Sequence, residues 1–436
     1  MSSPHLADHI RTCAAQITVI GQGYVGLPLA VAFAEAGFSV VGLDTNVERV
    51  VALNDGISCS PDVENEKIVR LRLEERYQAS ADFSTLDRSD VVIICVPTPL
   101  RKSKDPDISF VAAAAQQVAA RFHPGQLVIL ESTTYPGTTE ELLLPMFEAQ
   151  GAQAGENFFL AFSPERIDPG NPTFKVGDIP KIVGGVTRRC AELAALLYRK
   201  IVGQVVEVSS PKVAELAKLY ENVFRNVNVA LANELSIMCR HLEVKTHEVI
   251  QAAGTKPFGF IPFYPGPGIG GHCIPVDPFY LSWKMRLKGY EARFIHLAEE
   301  VNGAMPGYVV DLVIEALNRR RRCLNGAKIL VLGVAYKRGV GDTRESPALE
   351  VIAQLLKKGA QVVYSDPYVD SIAVEGTALK GIALSDEKVA AADCVLILTD
   401  HPQFNYKRIV ESADLVVDTR GSTCGLAAPE GRIVML

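Results

Sequence analysis

The chain has 436 residues, 48% hydrophobic and 22% charged, with a formal net charge of −6. That length and balance fit a packed protein of two or three domains, and the acidic balance argues against nucleic acid or an anionic membrane surface as the main partner. The nine cysteines show no CxxC pair or metal-ligand spacing, so neither a disulfide framework nor a metal centre is expected, and the odd count fits a reducing cytoplasm. No apolar run reaches membrane-spanning length. The opening MSSPHLADHIRT lacks the apolar core of a signal peptide and reads as a short flexible leader.

The first stretch with a chemical signature is QITVIG, Gln16 to Gly21, a strand rich in β-branched residues that runs into GQGYVG. Gly21, Gly23 and Gly26 fit G-x-G-x-x-G. Helical composition then runs from Tyr24 to Ala36, Gly37 closes it, and SVVGLD forms a second strand ending at Asp44. Strand, glycine turn, helix, strand and acid within about thirty residues is the pattern of a dinucleotide site. The glycines let a pyrophosphate reach the helix N-terminus, where amides and the helix dipole favour an anion. Asp44 is expected to accept from the ribose hydroxyls, and a carboxylate there repels a 2′-phosphate, so NAD is favoured over NADP. Arg49 reads either as an exposed helix charge or as a residue able to tolerate that phosphate.

Further strands follow at βαβ spacing: VVIICVPTP (Val91 to Pro99), the start of QLVILESTTYPGTT (Gln126 to Thr139), and FFLAFSPER. Ligands of an open parallel sheet bind beyond the carboxyl ends of its strands. That rule puts Thr98, Ser132, Thr133 and Glu165 beside the cofactor. Thr98 and Thr133 read equally well as turn formers, and Glu165 as a solvated loop acid. Val205 to Ser209 is expected to be the last strand of this domain.

From Pro211 to about Leu242 the pattern is helical and mostly apolar, yet Glu215, Lys218, Asn222 and Asn226 recur at three- and four-residue steps and share a face. Buried polar residues are costly unless they serve a ligand or each other. Two readings stay open: an internal network, or Lys218 and Asn222 facing a reaction centre. So long a helix with apolar flanks is also expected at a subunit interface. TKPFGFIPFY follows, with Phe258, Phe260, Phe263 and Tyr264 set to stack on a base or to plug a core. Then comes PGPGIGGHCIPVDP, Pro265 to Pro278. Four glycines and four prolines in these fourteen positions exclude helix and regular strand. Such a loop can approach a ligand closely and display Cys273, either as a nucleophile or as a structural thiol. A hydrolase pairing of Cys273 with His272 is disfavoured, because adjacent residues rarely face one another.

Ala298 to Asn318 is helix-like, and the run of arginines at 319–322 reads as a solvated linker. Ala327 to Lys337 repeats the strand-into-glycine pattern, and QVVYSDP, CVLILTD and LVVDTRG add strands of a second, smaller sheet. Gly333 stands there without a GxGxxG, so no second NAD site is expected. Lys337, Arg344 and Arg420 lie at strand ends and suit phosphate oxygens. The fold class is therefore α/β, with two Rossmann-like doubly wound parallel sheets joined by a long central helix. The expected domains are 1–209, 210–305 and 306–436. NAD at one sheet and a phosphate-bearing ligand at the other imply a cleft. A thiol beside a nicotinamide there suits oxidation through a covalent thiohemiacetal and a thioester that water hydrolyses.

VIGQGYVGLPLA, VVGLDTN, CVPTP, ESTTYPGTT, SPER, ELAKLYENVFRNVNVALANE, PGPGIGGHCIPVDP and GDTRESPA occur in this order. In them the chain resembles the UDP-glucose/GDP-mannose dehydrogenase family along almost its whole length. The resemblance implies a four-electron, two-NAD oxidation of a nucleotide sugar from the C6 alcohol to the uronic acid. It makes Cys273 the nucleophile. Lys218 and Asn222 stabilise charge at the C6 oxygen, Asp277 assists proton transfer, and Glu165 and Thr133 position water and substrate. Gly21, Gly23, Tyr24, Val25, Gly26, Asp44, Arg49, Thr98, Thr133 and Arg344 become NAD contacts. Glu165, Arg166, Lys218, Asn222, Tyr264, Gly266, Gly268, Gly270, Lys337 and Arg420 become substrate contacts, so the third domain should hold UDP. No metal is implied, and the long helix should form a homodimer or part of a larger homo-oligomer. TKPFGFIPFYPGPGIGGHC resembles the branch acting on UDP-N-acetylhexosamines, with UDP-N-acetylglucosamine expected and UDP-glucose, UDP-N-acetylmannosamine and UDP-N-acetylgalactosamine as alternatives. His272 is one mark of that branch, and Lys256 is the candidate to reach the sugar from a neighbouring subunit. The expected product is a building block for surface polysaccharide or O-antigen. The reading from another class is a non-enzymatic NAD sensor, and a two-electron hydroxyacid dehydrogenase is the rival enzyme.

Overall fold

Short runs of Val, Ile and Leu lie fully buried most readily as inner strands of a sheet covered on both faces, and the apolar runs of this chain do so. The computed structural model describes residues 3–60, 62–101, 103–166, 176–271 and 273–436. They form two compact units, Met1–Glu221 with Phe279–Tyr290, and Asn222–Pro278 with Glu291–Leu436.

In the first unit, β1 (Gln16–Ile20), β2 (Ser39–Leu43), β3 (Tyr77–Ser80), β4 (Val91–Ile94), β5 (Gln126–Leu130), β6 (Phe158–Phe162), β7 (Lys181–Gly185) and β8 (Val205–Val208) form one sheet. Its order is β3-β2-β1-β4-β5-β6-β7-β8. Ile17 pairs with Val40 on one side and Val91 on the other. The first six strands are parallel, but β7 runs antiparallel to β6, with Phe162 opposite Gly184, and β8 follows β7. The expected Rossmann-like parallel order holds through β6, and the β6–β7 pair adds an antiparallel step at this edge. A parallel strand needs a crossover, usually a helix. The described part of the β6–β7 connection contains only the short turn Val176–Asp178.

The opening segment also departs from expectation. Rather than a flexible leader, Ser3–Arg11 is a helix, α1. Leu6 and Ile10, one turn apart, are fully buried in the core formed with the Arg188–Tyr198 helix and β1. The glycine turn after β1 feeds α2 (Gly26–Glu35), whose apolar residues cover the sheet.

The second unit carries β9 (Lys328–Leu332), β10 (Gln361–Ser365), the β11–β12 hairpin (Ser371–Val374 and Thr377–Lys380), β13 (Cys394–Ile397), β14 (Val416–Asp418) and β15 (Ile433–Met435). The order β10-β9-β13-β14-β15 is parallel throughout. Helices Arg293–Arg319 and Pro347–Lys357 bury apolar faces on it. The arginines at 319–322 are more than a solvated linker. Arg320 bonds Asp414 at 2.6 Å and Arg322 bonds Asp393, tying the helix end to the turns that enter β14 and β13. One helix, Pro211–His241, begins in the first unit and continues into the second.

Candidate active site

The three glycines of the first turn meet three different constraints. Gly21 has φ +92, a conformation that glycine adopts without steric cost. A Cβ on Gly26 would lie 1.8 Å from the Gly21 carbonyl oxygen, so α2 can start this close to β1 only without a side chain. Around Gly23 nothing lies within 4 Å of where a Cβ would be. That bare backbone is open to a bulky anion at the helix N-terminus, as a pyrophosphate requires. Tyr24 is partly exposed and Val25 half-buried beside it.

Asp44, 6% exposed at the end of β2, accepts from the amides of Gln22 (2.8 Å) and Asn46 (2.9 Å) and from the Arg49 guanidinium (2.8 Å). Arg49 is therefore paired rather than a free helix charge. A carboxylate has about four acceptor positions, so Asp44 is fixed in direction and keeps room for one more donor. Glycine turn and buried acid together fit NAD.

At the carboxyl ends of β4 to β6 the expected residues gather. The Thr98 carbonyl accepts from Tyr280 Oη at 2.9 Å. Ser132 Oγ donates to the Val96 carbonyl at 2.8 Å, and Thr133 is half-buried in the same turn. Glu165 is buried, not solvated. Its Oε1 accepts from the Arg166 amide at 2.7 Å and its Oε2 faces Lys181 Nζ at 3.4 Å. The Arg166 guanidinium is engaged by Glu221 at 2.7 Å and the Pro180 carbonyl at 2.7 Å. Lys181, which bridges Glu165 and Glu131, and Tyr198, which donates to Glu131, do not stand out in the sequence. The available signal was an acid ending the apolar run QLVILE and a lysine opening KIVGG.

The polar stripe of the long helix is not a network among its own members. Glu215 accepts from the amides of Gly137 (2.5 Å) and Thr139 (2.9 Å) and from the Thr139 hydroxyl (2.7 Å). Burial pushes the Glu215 carboxyl above its ordinary value, against the opposing pull of these donors. Lys218 is buried in the first unit. In the second unit, Asn222 Nδ2 donates to Asp277 Oδ2 at 2.5 Å, and Asn226 Nδ2 donates to the Ile274 carbonyl at 3.2 Å. Cys273, half-buried, immediately precedes the anchored Ile274. Its carbonyl accepts from the amides of Val276 (3.1 Å) and Asp277 (2.8 Å), the turn that starts the helix Asp277–Arg286. His272 lies outside the described residues.

Upstream, the four aromatic residues divide: Phe258, Phe260 and Tyr264 are exposed, whereas Phe263 is half-buried and packs edge-on against Phe224 with ring centroids 5.7 Å apart. Lys256 Nζ sits 4.9 Å over the Phe258 ring. Tyr264 stacks on His247 with ring centroids 5.4 Å apart. The Gly266 amide donates to Asn233 Oδ1 at 2.9 Å, and a Cβ on Gly266 would lie 2.7 Å from Arg420 Nη1. A Cβ on Gly268 would lie 3.1 Å from Pro347 Cβ, and one on Gly270 2.8 Å from Tyr336 Cβ. Arg420 Nε donates to the Leu398 carbonyl at 2.8 Å, and burial lowers its guanidinium from the ordinary value against the opposing charges of Asp400 and Asp418. Lys337 Nζ lies 5.9 Å from the Tyr336 ring centre. Arg344, expected at NAD, belongs to the second unit and pairs with Asp342.

The second sheet copies the design of the first. Gly333 follows β9 with φ +78, and the next amide, Val334, donates to Asp366 after β10 at 2.7 Å. Here, however, Asp366 also accepts from Ala335 N (3.2 Å), Tyr368 N (2.8 Å) and His401 Nε2 (3.0 Å). Four donors fill its acceptor positions. Burial alone would raise this carboxyl; the donors, led by His401, outweigh it and hold it below the usual range.

A glycine turn closed on a buried acid that keeps a free acceptor position, at the carboxyl end of a mostly parallel sheet, places the chain among the NAD-binding proteins of the Rossmann class. Three family models match in sequence: the NAD binding domain of the UDP-glucose/GDP-mannose dehydrogenase family over residues 15–202, its central domain over 212–304, and its UDP binding domain over 330–423. The chain belongs to the UDP-glucose/GDP-mannose dehydrogenase family and is an NAD-dependent nucleotide-sugar 6-dehydrogenase. It is 39% identical over 360 residues to the UDP-N-acetyl-D-glucosamine 6-dehydrogenase of Pseudomonas aeruginosa, covering 82% of this chain and 83% of that protein. It is 36% identical over 418 residues to the UDP-N-acetyl-D-mannosamine dehydrogenase of Pyrococcus horikoshii, covering 93% of this chain and 95% of that one. A solved structure of the UDP-D-ManNAc dehydrogenase from Pyrococcus horikoshii superimposes with a TM-score of 0.87 at 34% identity, over 96% of this chain and 98% of that one.

The glycine geometry separates binding from folding. Gly23→Ala should change stability by less than about 1 kcal/mol and weaken NAD at least about tenfold, roughly 1.4 kcal/mol. Gly26→Ala should instead destabilise the unit by about 1–3 kcal/mol. Calorimetric NAD titration and denaturant unfolding check both; unchanged NAD affinity in Gly23→Ala would contradict the assignment.

Proposed function

We propose that the protein oxidises the C6 hydroxyl of a UDP-N-acetylhexosamine, with UDP-N-acetylglucosamine the preferred substrate, to the uronic acid. It does so as a cytoplasmic homodimer that supplies precursors of surface polysaccharide or O-antigen. The observation that carries this reading is the anchoring of the Cys273 loop to the long helix, through Asn222 with Asp277 and Asn226 with the Ile274 carbonyl. Hexosamine over glucose is supported by the likeness to the Pseudomonas aeruginosa enzyme, whose name gives UDP-N-acetyl-D-glucosamine. The cytoplasm is supported by nine free thiols, exposed Cys59, Cys323 and Cys424 among them. No described helix is long and apolar enough to cross a membrane.

In this reading the Lys218 ammonium and a side-chain N–H of Asn222 offset the negative charge that develops on the C6 oxygen. Asp277 takes the proton from that oxygen. NAD, when bound, supplies the hydride acceptor, and two are consumed per sugar. Cys273 Sγ bonds to C6 of the aldehyde, and the former carbonyl oxygen takes up a proton. After the second oxidation C6 is a thioester. Glu165 and Thr133 hold the water that attacks it, Glu165 accepts the water proton, and the C6–S bond breaks to return the thiol. One alcohol, one water and two NAD⁺ become one carboxylate, two NADH and three protons. Lys337 and Arg420 offset the UDP diphosphate, Tyr264 and the Gly266–Gly270 backbone line its nucleoside, and Lys256 reaches the sugar of a neighbouring subunit.

The dimer is supported by Val213, Leu216, Tyr220, Phe224, Leu231 and Met238, exposed at three-, four- and seven-residue steps along the long helix. An apolar stripe of that spacing suits pairing with a second helix.

Two measurements follow. A panel of UDP-N-acetylglucosamine, UDP-N-acetylgalactosamine, UDP-N-acetylmannosamine and UDP-glucose, scored for NADH per sugar, should give two per UDP-N-acetylglucosamine, with kcat/KM for UDP-glucose lower by about tenfold or more. Cys273→Ser should lose the second NADH. A yield of one from the parent enzyme would contradict the four-electron reaction, and better turnover of another sugar would reassign the substrate. Separately, Tyr220→Glu with Leu231→Glu should convert a dimer to a monomer in light scattering; an unchanged mass would reject the helix as the interface.

A further inference from the structure

A lysine comes to lie among acids at the carboxyl end of the first sheet because β7 is reversed. In a parallel strand the first residue lies at the opposite end of the sheet from the active-site loops. β7 runs the other way, with Ala161 opposite Gly185 and Phe162 opposite Gly184. Extending that register by three residues sets Lys181, the first residue of β7, across from Glu165. The side chains meet there: Lys181 Nζ is 2.5 Å from Glu131 Oε1 and 3.4 Å from Glu165 Oε2.

The two carboxylates are held differently. Glu131 has no solvent exposure and receives Lys181 and the Tyr198 hydroxyl (2.6 Å) on Oε1 and the Cys95 thiol (3.7 Å) on Oε2. Glu165 keeps some exposure and accepts from its neighbour's amide and from Lys181. Burial alone would push the Lys181 ammonium down, but Glu131 and Glu165 outweigh it and hold it above the ordinary lysine range. Burial and the nearby Glu131 charge push the Cys95 thiol well up, so it serves as a donor and not as a second anion. One cation thus serves two buried acids. Glu131 fixes the ammonium on the sheet, and the remaining interaction is directed at Glu165.

We propose that Lys181 is a positioning residue for the reaction, anchored by Glu131 and holding the Glu165 carboxylate aimed so that it can accept the proton of the hydrolytic water. This rests on the role given to Glu165 above. An ammonium in contact favours the anionic form of a carboxylate, whereas two buried carboxylates without it disfavour each other's ionisation. Breaking a buried pair from one side also leaves an uncompensated charge. Glu131 gives the arrangement a second lever: neutralising it leaves the ammonium wholly to Glu165.

The test is the kcat–pH profile of the full-length enzyme with saturating NAD and UDP-sugar. Glu131→Gln should move the acid limb to lower pH. Glu131→Gln with Lys181→Met, which removes the buried acid together with its counter-charge and so avoids a stranded ion, should move it up by about one unit or more relative to Glu131→Gln alone. Its kcat should fall roughly tenfold to a hundredfold, with little change in KM. Lys181→Arg should restore the limb to its parent position. A purely structural lysine would lower the melting temperature and leave the limb unmoved, and that result overturns the proposal. Glu165→Gln separates the two readings. If it abolishes the acid limb while Glu131→Gln and the double variant share one limb, only the role of Lys181 fails. If the limb survives Glu165→Gln, the role of Glu165 fails and that of Lys181 with it.

Discussion

The side-chain amide of Asn222, within a helix of 31 residues, donates to the carboxylate of Asp277. Both groups are almost fully buried, so neither can turn to water for a substitute. A hydrogen bond to a charged group is worth about 1.5–3 kcal/mol net, and leaving a buried charge unpaired costs more. Among its described residues the loop around Cys273 has almost no regular backbone hydrogen bonding of its own, because its prolines lack the donor and its glycines favour no single conformation. What fixes it is attachment at its ends. Asp277 starts the following helix, Asn226 holds the Ile274 carbonyl, and Asn233 holds the Gly266 amide. A flexible segment is thereby made rigid by side chains from one rigid helix, as the nucleophilic role proposed for Cys273 requires.

The two sheets show one local design put to two uses. In each, a glycine with positive φ follows the first strand, and the next amide points at an acid ending the neighbouring strand. Asp44 receives three donors and keeps one acceptor position, as the proposed ribose contact requires. Asp366 has all of its positions filled, the last by His401, which is itself fixed by the Gly339 amide at 3.2 Å. The two acids differ in their remaining donors: the Arg49 guanidinium at Asp44, and the Ala335 amide with the buried His401 imidazole at Asp366.

Much of this was legible in the amino-acid order. The glycine turn, Asp44, the helix starting at Pro211 and the irregular loop before Asp277 follow from residue types with few conformational options: glycine, proline and runs of β-branched residues. Less was legible where a residue's meaning depends on what the fold brings near it. Lys181 opens the apolar strand KIVGG, and a lysine at a strand end reads as a surface charge until the strand is known to be reversed. Leu6 and Ile10 form a single apolar pair in a polar stretch, too little to announce a helix that packs on a core. The arginines at 319–322 look solvated because Asp393 and Asp414, their partners, are about seventy to ninety residues away in the chain. The polar stripe on the long helix was visible, but not that Glu215 and Asn222 serve different loops.

The central claim is a covalent bond from C6 of the sugar to one sulfur, and mass spectrometry tests it most directly. Glu165→Gln enzyme, supplied with NAD and UDP-N-acetylglucosamine and quenched in acid during turnover, should show the peptide containing Cys273 heavier by the mass of the UDP-uronyl group, with the other eight cysteines unmodified. Release of that mass by hydroxylamine would identify a thioester. NADH formed beyond one equivalent per site with Cys273 unmodified throughout would contradict the account.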